Sequence, residues 1–149
     1  MEGLKRIIFV ARSGTGREPM AMGILKDLSF QEDVEILARG LVVSFPEPMN
    51  GKAEAVLISN GINLNHYTSE QLNNDEITEG TLIFTMEENQ RRKVLEHFGN
   101  ATEENVFVLT SFVGDELEII DPYGGPLQAY GLCYETLRKS IKKLVKILN

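Results

Sequence analysis

The stretch Lys5-Arg6-Ile7-Ile8-Phe9-Val10-Ala11-Arg12-Ser13-Gly14-Thr15-Gly16-Arg17-Glu18-Pro19-Met20-Ala21 decides how the rest of the chain is read. Residues 5–10 are a short β-branched and aromatic run of the kind that forms a buried strand. Residues 11–17 are mostly small and include glycines, which marks a turn. Glu18-Pro19 then opens a helix, because proline suits the first helical turn and Met20, Ile24 and Leu28 recur at helical spacing. A strand that feeds a helix through such a turn directs several N–H groups into one concavity, where the helix dipole adds partial positive charge. Arg17 adds a planar fork that matches two phosphate oxygens. A tight connection with a surface arginine explains the segment equally well at this point. The P-loop pattern is excluded, since no Lys-Ser or Lys-Thr follows the last glycine, and Pro19 stands where the dinucleotide fingerprint needs its third glycine.

Outward from this stretch, Val34–Ala38 reads as a second strand, and the Pro46- and Pro48-bearing segment 40–51 as loop. A helix over 53–59 stops at Asn60-Gly61, and a polar turn at 75–80 precedes a third strand, Thr81–Thr85. Glu87–Phe98 is a charged amphipathic helix, Val106–Leu109 a fourth strand, and 127–148 a long helix with Leu137, Ile141, Leu144, Val145 and Leu148 at three- and four-residue steps. Strands alternating with helices predict an α/β fold: three layers, with a four-stranded parallel sheet covered by helices on both faces. No repeat, low-complexity tract or linker interrupts it, so residues 1–149 are expected to form a single domain. Ligands of such sheets bind at the carboxyl ends of the strands, which again singles out residues 11–17.

The chain has 149 residues, 42% hydrophobic and 25% charged, a globular balance and enough length for a core without disulfides. Its 15 Lys and Arg against 22 Asp and Glu give a net charge of −7, which argues against a general nucleic-acid or anionic-membrane binder. One cysteine, Cys133, excludes an internal disulfide and a cysteine-based zinc site, and its place amid the apolar spacing of the last helix reads as structural burial. His66 and His97 form no local metal motif and read as surface or half-buried residues, so neither metal nor cofactor is expected. Neither a signal sequence nor an apolar run of the ~18 residues a membrane helix needs is seen, so the expectation is a cytoplasmic protein without membrane contact.

The segment Ala11–Ala21 resembles the strand–Cys-x5-Arg–helix element of the low-molecular-weight protein-tyrosine phosphatases, usually written Cys-x-Gly-Asn-x-Cys-Arg-Ser-Pro-Met-Ala. Thr81-Leu82-Ile83-Phe84-Thr85-Met86 is similar to the family's third strand and the methionine closing it. Val106–Gly114 and then Asp121-Pro122-Tyr123-Gly124-Gly125 resemble the general-acid loop and its approach. Thr15 and Asn50-Gly51-Lys52-Ala53 are similar to the bacterial protein-arginine-phosphatase branch. The resemblance spans nearly the whole chain. It implies a monomeric phosphatase fold in which the 11–17 loop, Arg12, Ser13, Gly14, Thr15, Gly16 and Arg17 among it, takes the phosphate of a phosphorylated protein side chain or free phosphate. By the same resemblance Tyr123 forms an aromatic wall and Asp121 is the general acid.

The departures from the family pattern bear on chemistry. In the family a cysteine thiolate attacks phosphorus, the arginine and loop N–H groups stabilise the equatorial oxygens, and the aspartate protonates the leaving group and then activates water. Ala11 stands at that cysteine's position, and a methyl group is no nucleophile. Losing the nucleophile of a covalent mechanism costs about 10⁶-fold in the subtilisin example. Gly14 replaces the asparagine that braces the loop, Gly16 a second cysteine, and Glu18 the serine that supports the thiolate. Gln90 falls where a histidine is frequent, a sign of relaxed chemistry. Glu18 puts a negative charge beside a dianion site, a repulsion of about 3–4 kcal/mol at ~4–6 Å and an effective dielectric near 20, unless Arg12 or Arg17 neutralises it. Ser13 and Thr15 carry hydroxyls but no adjacent histidine base. One laboratory substitution would explain Ala11 alone, not Ser13, Gly14, Gly16 and Glu18 with it. The expectation is a phosphate-binding member with impaired catalysis. The alternative is an active tyrosine or arginine phosphatase seen in an altered form, while arsenate reduction is excluded by the single cysteine.

Overall fold

Alternation along the first strand sets the layers, because successive strand side chains point to opposite faces. Ile7, Phe9 and Ala11 join a large hydrophobic cluster with Met20, Leu57, Leu137 and Ile141, whereas Ile8 and Val10 join a smaller one with Ile83, Val94 and Val106. The computed structural model describes residues 1–149. Its elements are β1 (Arg6–Ala11), α1 (Arg17–Asp27), β2 (Glu35–Gly40), α2 (Gly51–Ser59), β3 (Thr81–Thr85), α3 (Glu88–His97), β4 (Val106–Val108), α4 (Leu109–Val113) and α5 (Leu127–Leu148), with a 3-10 turn at Asn74–Glu76. The four strands are all parallel, in the order β2-β1-β3-β4, with α1, α2 and α5 over the large cluster and α3 over the small one. The expected α/β sandwich is therefore present.

Among the differences from the sequence reading, three have a clear physical reason. Leu109 begins α4 instead of ending β4; the apolar run of the strand passes straight into a buried helical turn and hid it. The second strand extends past Ala38 to Gly40, because Arg39 pairs opposite Val10 while its guanidinium is held by Glu76 at 2.8 Å. Helix α1 is buried at every position from Arg17 to Leu25 instead of along one stripe. It lies between the sheet, α2 and α5, and Gly23 permits the approach: a Cβ there would sit 3.1 Å from Ile62 Cγ2 and 3.4 Å from Leu57 Cδ1.

The topology positions the site. From β1 the chain crosses to β2 on one side, and from β3 it crosses to β4 on the other, so a crevice opens between the carboxyl ends of β1 and β3. Residues 11–17 leave β1 into that crevice, and Met86-Glu87 leave β3 into it. The 115–125 segment approaches from a fixed base. Phe112 of α4 packs edge-on against Phe84, centroids 5.1 Å apart, and Asp115 accepts from Ser140 Oγ at 2.6 Å and pairs with Lys143 on α5. No helix of the structure is long and apolar enough to cross a membrane.

Candidate functional site

The 11–17 loop turns its carbonyls away from its own interior. Leu41 N–H donates to the carbonyls of Ala11 and Arg12 at 3.0 and 2.9 Å, Tyr67 hydroxyl to that of Gly14 at 2.5 Å, Asn50 N–H to that of Thr15 at 2.9 Å, and Met20 N–H to that of Gly16 at 3.3 Å. A trans peptide points its carbonyl and the next N–H in opposite directions, so the N–H groups of residues 12, 13, 15, 16 and 17 face back into the loop. Such a set of inward N–H groups has the geometry of a cradle for an anion, although the Thr15 N–H also donates to Ser13 Oγ at 3.3 Å. Gly14 has φ +77°, a left-handed conformation that glycine and asparagine tolerate best. The glycine is therefore suited to this backbone shape, and the Tyr67 hydroxyl braces the loop at the Gly14 carbonyl. Gly40, at the end of β2, lets the loop pass: a Cβ there would lie 2.7 Å from Gly14 N and 2.7 Å from Ser13 C.

Two charged residues follow the loop, and both are buried. Arg17 is 3% exposed and donates from Nη1 to Glu87 Oε2 at 2.7 Å and to the Ile119 carbonyl at 2.6 Å, with Nη2 3.8 Å from Asp121 Oδ2. Glu87 is in turn held by Gln90, whose Oε1 accepts the N–H of Met86 at 3.0 Å and of Glu87 at 3.1 Å and whose Nε2 donates to Glu87 Oε2 at 3.4 Å. Gln90 is thus the N3 partner in the capping box that Glu87 opens for α3. Glu18, placed beside the site by the sequence reading, is 1% exposed and lies within the loop, where Oε2 accepts the Gly14 N–H at 2.6 Å. Burial pushes its carboxyl above the ordinary range, against the opposing pull of its own N–H, those of Gly14 and Gly16, and the Arg17 charge.

A cavity of about 350 Å³ opens above the loop, lined by Arg12, Ser13, Thr15, Gly16, Val42, Glu47, Asn50, Asp121, Tyr123 and Tyr130. The structure thus brings together Arg12, Ser13, Thr15, Gly16, Asp121 and Tyr123 from the sequence candidates. Gly14 and Arg17 are buried and do not line it, and Ala11 is 1% exposed with its methyl in the large cluster. Ser13 and Thr15 hydroxyls bond each other at 2.9 Å. Asp121 Oδ1 accepts the Tyr123 N–H at 3.0 Å, forming the turn that Asp-Pro favours, and Lys52 Nζ ties that turn to α2 through the Gly125 carbonyl at 2.7 Å. Beyond the turn, Leu117, Ile120 and Leu132 are exposed along a second, apolar hollow.

Cys133 lies under this region on α5, buried, and burial raises its thiol to about 12, so it is no thiolate near neutral pH. His66 and His97 are exposed and away from the cavity lining. No group of three or more His, Cys, Asp or Glu is placed to hold a metal ion. Sequence reasoning missed Asn50, Glu47, Tyr130 and Glu87. Asn50 was legible as the side chain that opens α2, where it accepts from Lys52 and Ala53 N–H at 2.9 and 3.2 Å. The others carry no local signal.

This arrangement, a strand-to-helix anion loop with an arginine behind it and an Asp-Pro turn above it, has counterparts among known proteins. The model of the low molecular weight phosphotyrosine protein phosphatase family matches residues 6–149. A protein-arginine-phosphatase of Geobacillus stearothermophilus is 31% identical over 145 residues, 97% of this chain and 96% of the relative. The low molecular weight protein-tyrosine-phosphatase PtpB of Staphylococcus aureus is 29% identical over 147 residues, 96% and 99% of the two chains. The solved structure of the Geobacillus stearothermophilus arginine phosphatase YwlE superposes with a TM-score of 0.88 over 97% of this chain and 92% of that one, at 30% identity. The chain belongs to the low molecular weight phosphotyrosine protein phosphatase family.

Proposed function

We propose that this protein holds a phosphorylated protein side chain or free phosphate at the 11–17 loop without forming a phosphocysteine. The observation that carries the reading is the pairing of an outward-turned set of loop carbonyls with a buried methyl, Ala11, at the family's cysteine position. The inward N–H groups and Arg17 supply oxyanion stabilisation, Arg12 adds charge at the rim, Tyr123 forms the aromatic wall, and Asp121 keeps the general-acid position. No other side chain replaces the missing thiolate: Cys133 is buried and protonated, and the Ser13 and Thr15 hydroxyls pair with each other with no histidine among the residues lining the cavity. The negative net charge supports a protein that engages phosphorylated proteins and not nucleic acid. The named relatives support a bacterial origin.

The second reading, an active protein-tyrosine or protein-arginine phosphatase whose cysteine is absent from this chain, is favoured by the 31% identity to a protein-arginine-phosphatase. Assay of this chain and of Ala11→Cys against p-nitrophenyl phosphate and phosphoarginine separates the two. The expected result is no detectable turnover by the unmodified chain and little in Ala11→Cys, whose loop still holds Glu18, whereas brisk turnover by Ala11→Cys favours the second reading. Turnover by the unmodified chain that disappears in Asp121→Ala would sink the binding-only reading.

A further inference from the structure

The side chain that the proposed function leaves without a task is Glu18. A long charged residue in the first turn of a helix ordinarily reaches solvent, yet this one is 1% exposed and bonded to Gly14 N–H at 2.6 Å. The N–H groups of Gly16 and of Glu18 itself also favour its carboxylate. Of these, the Gly16 N–H belongs to the set that faces into the loop, and the Gly14 N–H lies at the loop's centre. Arg17, at the end of the loop, is already engaged with Glu87 at 2.7 Å and with the Ile119 carbonyl at 2.6 Å. The methyl of Ala11 offers no competing polar atom at the loop's start.

We propose that the Glu18 carboxyl group is the resident occupant of the 11–17 cradle, so that an external phosphate group enters the loop only by displacing it. This rests on the phosphate-binding reading and states how that same site is regulated. The carboxyl and a phosphate group cannot both take the Gly14 N–H, because a single N–H already bonded at 2.6 Å has no room for a second acceptor oxygen. Tyr67 and Cys133 face its charge from the 61–72 connection and from α5, and both are neutral acids there. The rim stays open in the meantime, since Arg12, Asn50 and Tyr123 line the cavity and Glu18 does not. A phosphorylated side chain therefore meets the rim first and reaches the cradle in a second step, when the carboxyl group swings out.

The test is calorimetric titration of the unmodified chain, Glu18→Ser and Glu18→Ala with inorganic phosphate, joined to amide NMR of the unmodified chain. Both variants are expected to bind at least tenfold more tightly than the unmodified chain. In the unmodified chain, phosphate is expected to move the Arg12 and Asn50 amide signals while those of Gly14 and Gly16 stay fixed until far higher concentration. Equal affinity in all three proteins, with the Gly14 signal moving in step with Arg12, overturns the proposal and leaves the binding reading standing. Absence of phosphate binding by variants that circular dichroism shows to be folded overturns both. If the variants do not fold, the Gly14 signal in the unmodified chain decides alone: fixed supports, moving in step refutes. A hydroxylamine-labile phosphoryl group on Glu18 after incubation with p-nitrophenyl phosphate also refutes it, by making the carboxylate a nucleophile.

Discussion

Glu18 and Asp121 are two carboxyl groups that feel the same arginine, and burial divides them. Glu18 is 1% exposed and bonded to backbone N–H groups, while Asp121 is 49% exposed, 3.8 Å from Arg17 Nη2, and shapes a surface turn. The inner one belongs to the fold's hydrogen-bond accounting, since removing a buried acceptor leaves donors unsatisfied. The outer one is held mainly by its own turn and is free to meet a ligand. The same division separates the cradle, closed by internal partners, from the rim, whose side chains face open space. In this protein the half of the site that is buried is also the half that already holds internal partners.

Arg17 joins the two halves, so its loss is the most severe way to break the contrast. Arg17→Ala is expected to destabilise the fold by about 3–5 kcal/mol, because it strips partners from Glu87 and leaves Glu18 buried without a cation; urea denaturation measures it. Arg17→Lys, which keeps charge but not the fork, should recover only part of that loss. A smaller effect sharpens the contrast through pH. The folded-state carboxyl of Glu18 lies above its unfolded value of about 4.5, so its ionisation opposes folding. Stability from this group is fully present below the unfolded value and is lost as pH rises through the folded one. Against Glu18→Ser, the unmodified chain should therefore gain relative stability on acidification from pH 8 to 4, and a gap that is flat or widens in the other direction refutes the assignment. The smallest effect belongs to the outer carboxylate: Asp121→Asn should change stability by no more than ~0.5 kcal/mol, as expected at an exposed site. A loss of several kcal/mol there would erase the distinction.

What could be read from the sequence follows the same line. The strand–turn–helix over 5–21 was legible because β-branched residues, glycines and Pro19 each carry local meaning, and the sheet followed from alternation of elements. The short helix α4 was not, since Leu109 prolongs the apolar pattern of Val106–Val108 without a break. Within the site, the loop and the Asp121–Tyr123 turn were legible as motifs. Glu18 was seen as a charge but not as an inward one, because helix first turns usually present glutamate to water. The Arg17–Glu87 pair was invisible, as seventy positions of chain separate residues whose nearness depends on β1 and β3 being neighbours in the sheet.

The bare α-carbon of Gly40 has a consequence that reaches past this molecule. Its hydrogen faces a backbone nitrogen that any methyl would strike at 2.7 Å, so the second strand's final position acts as a gauge for the loop opposite. A homologous chain bearing alanine or anything larger there must route its first connection differently, however well its loop motif spells out. Screening related sequences at that one column would sort those able to share this backbone path from those that only share its lettering.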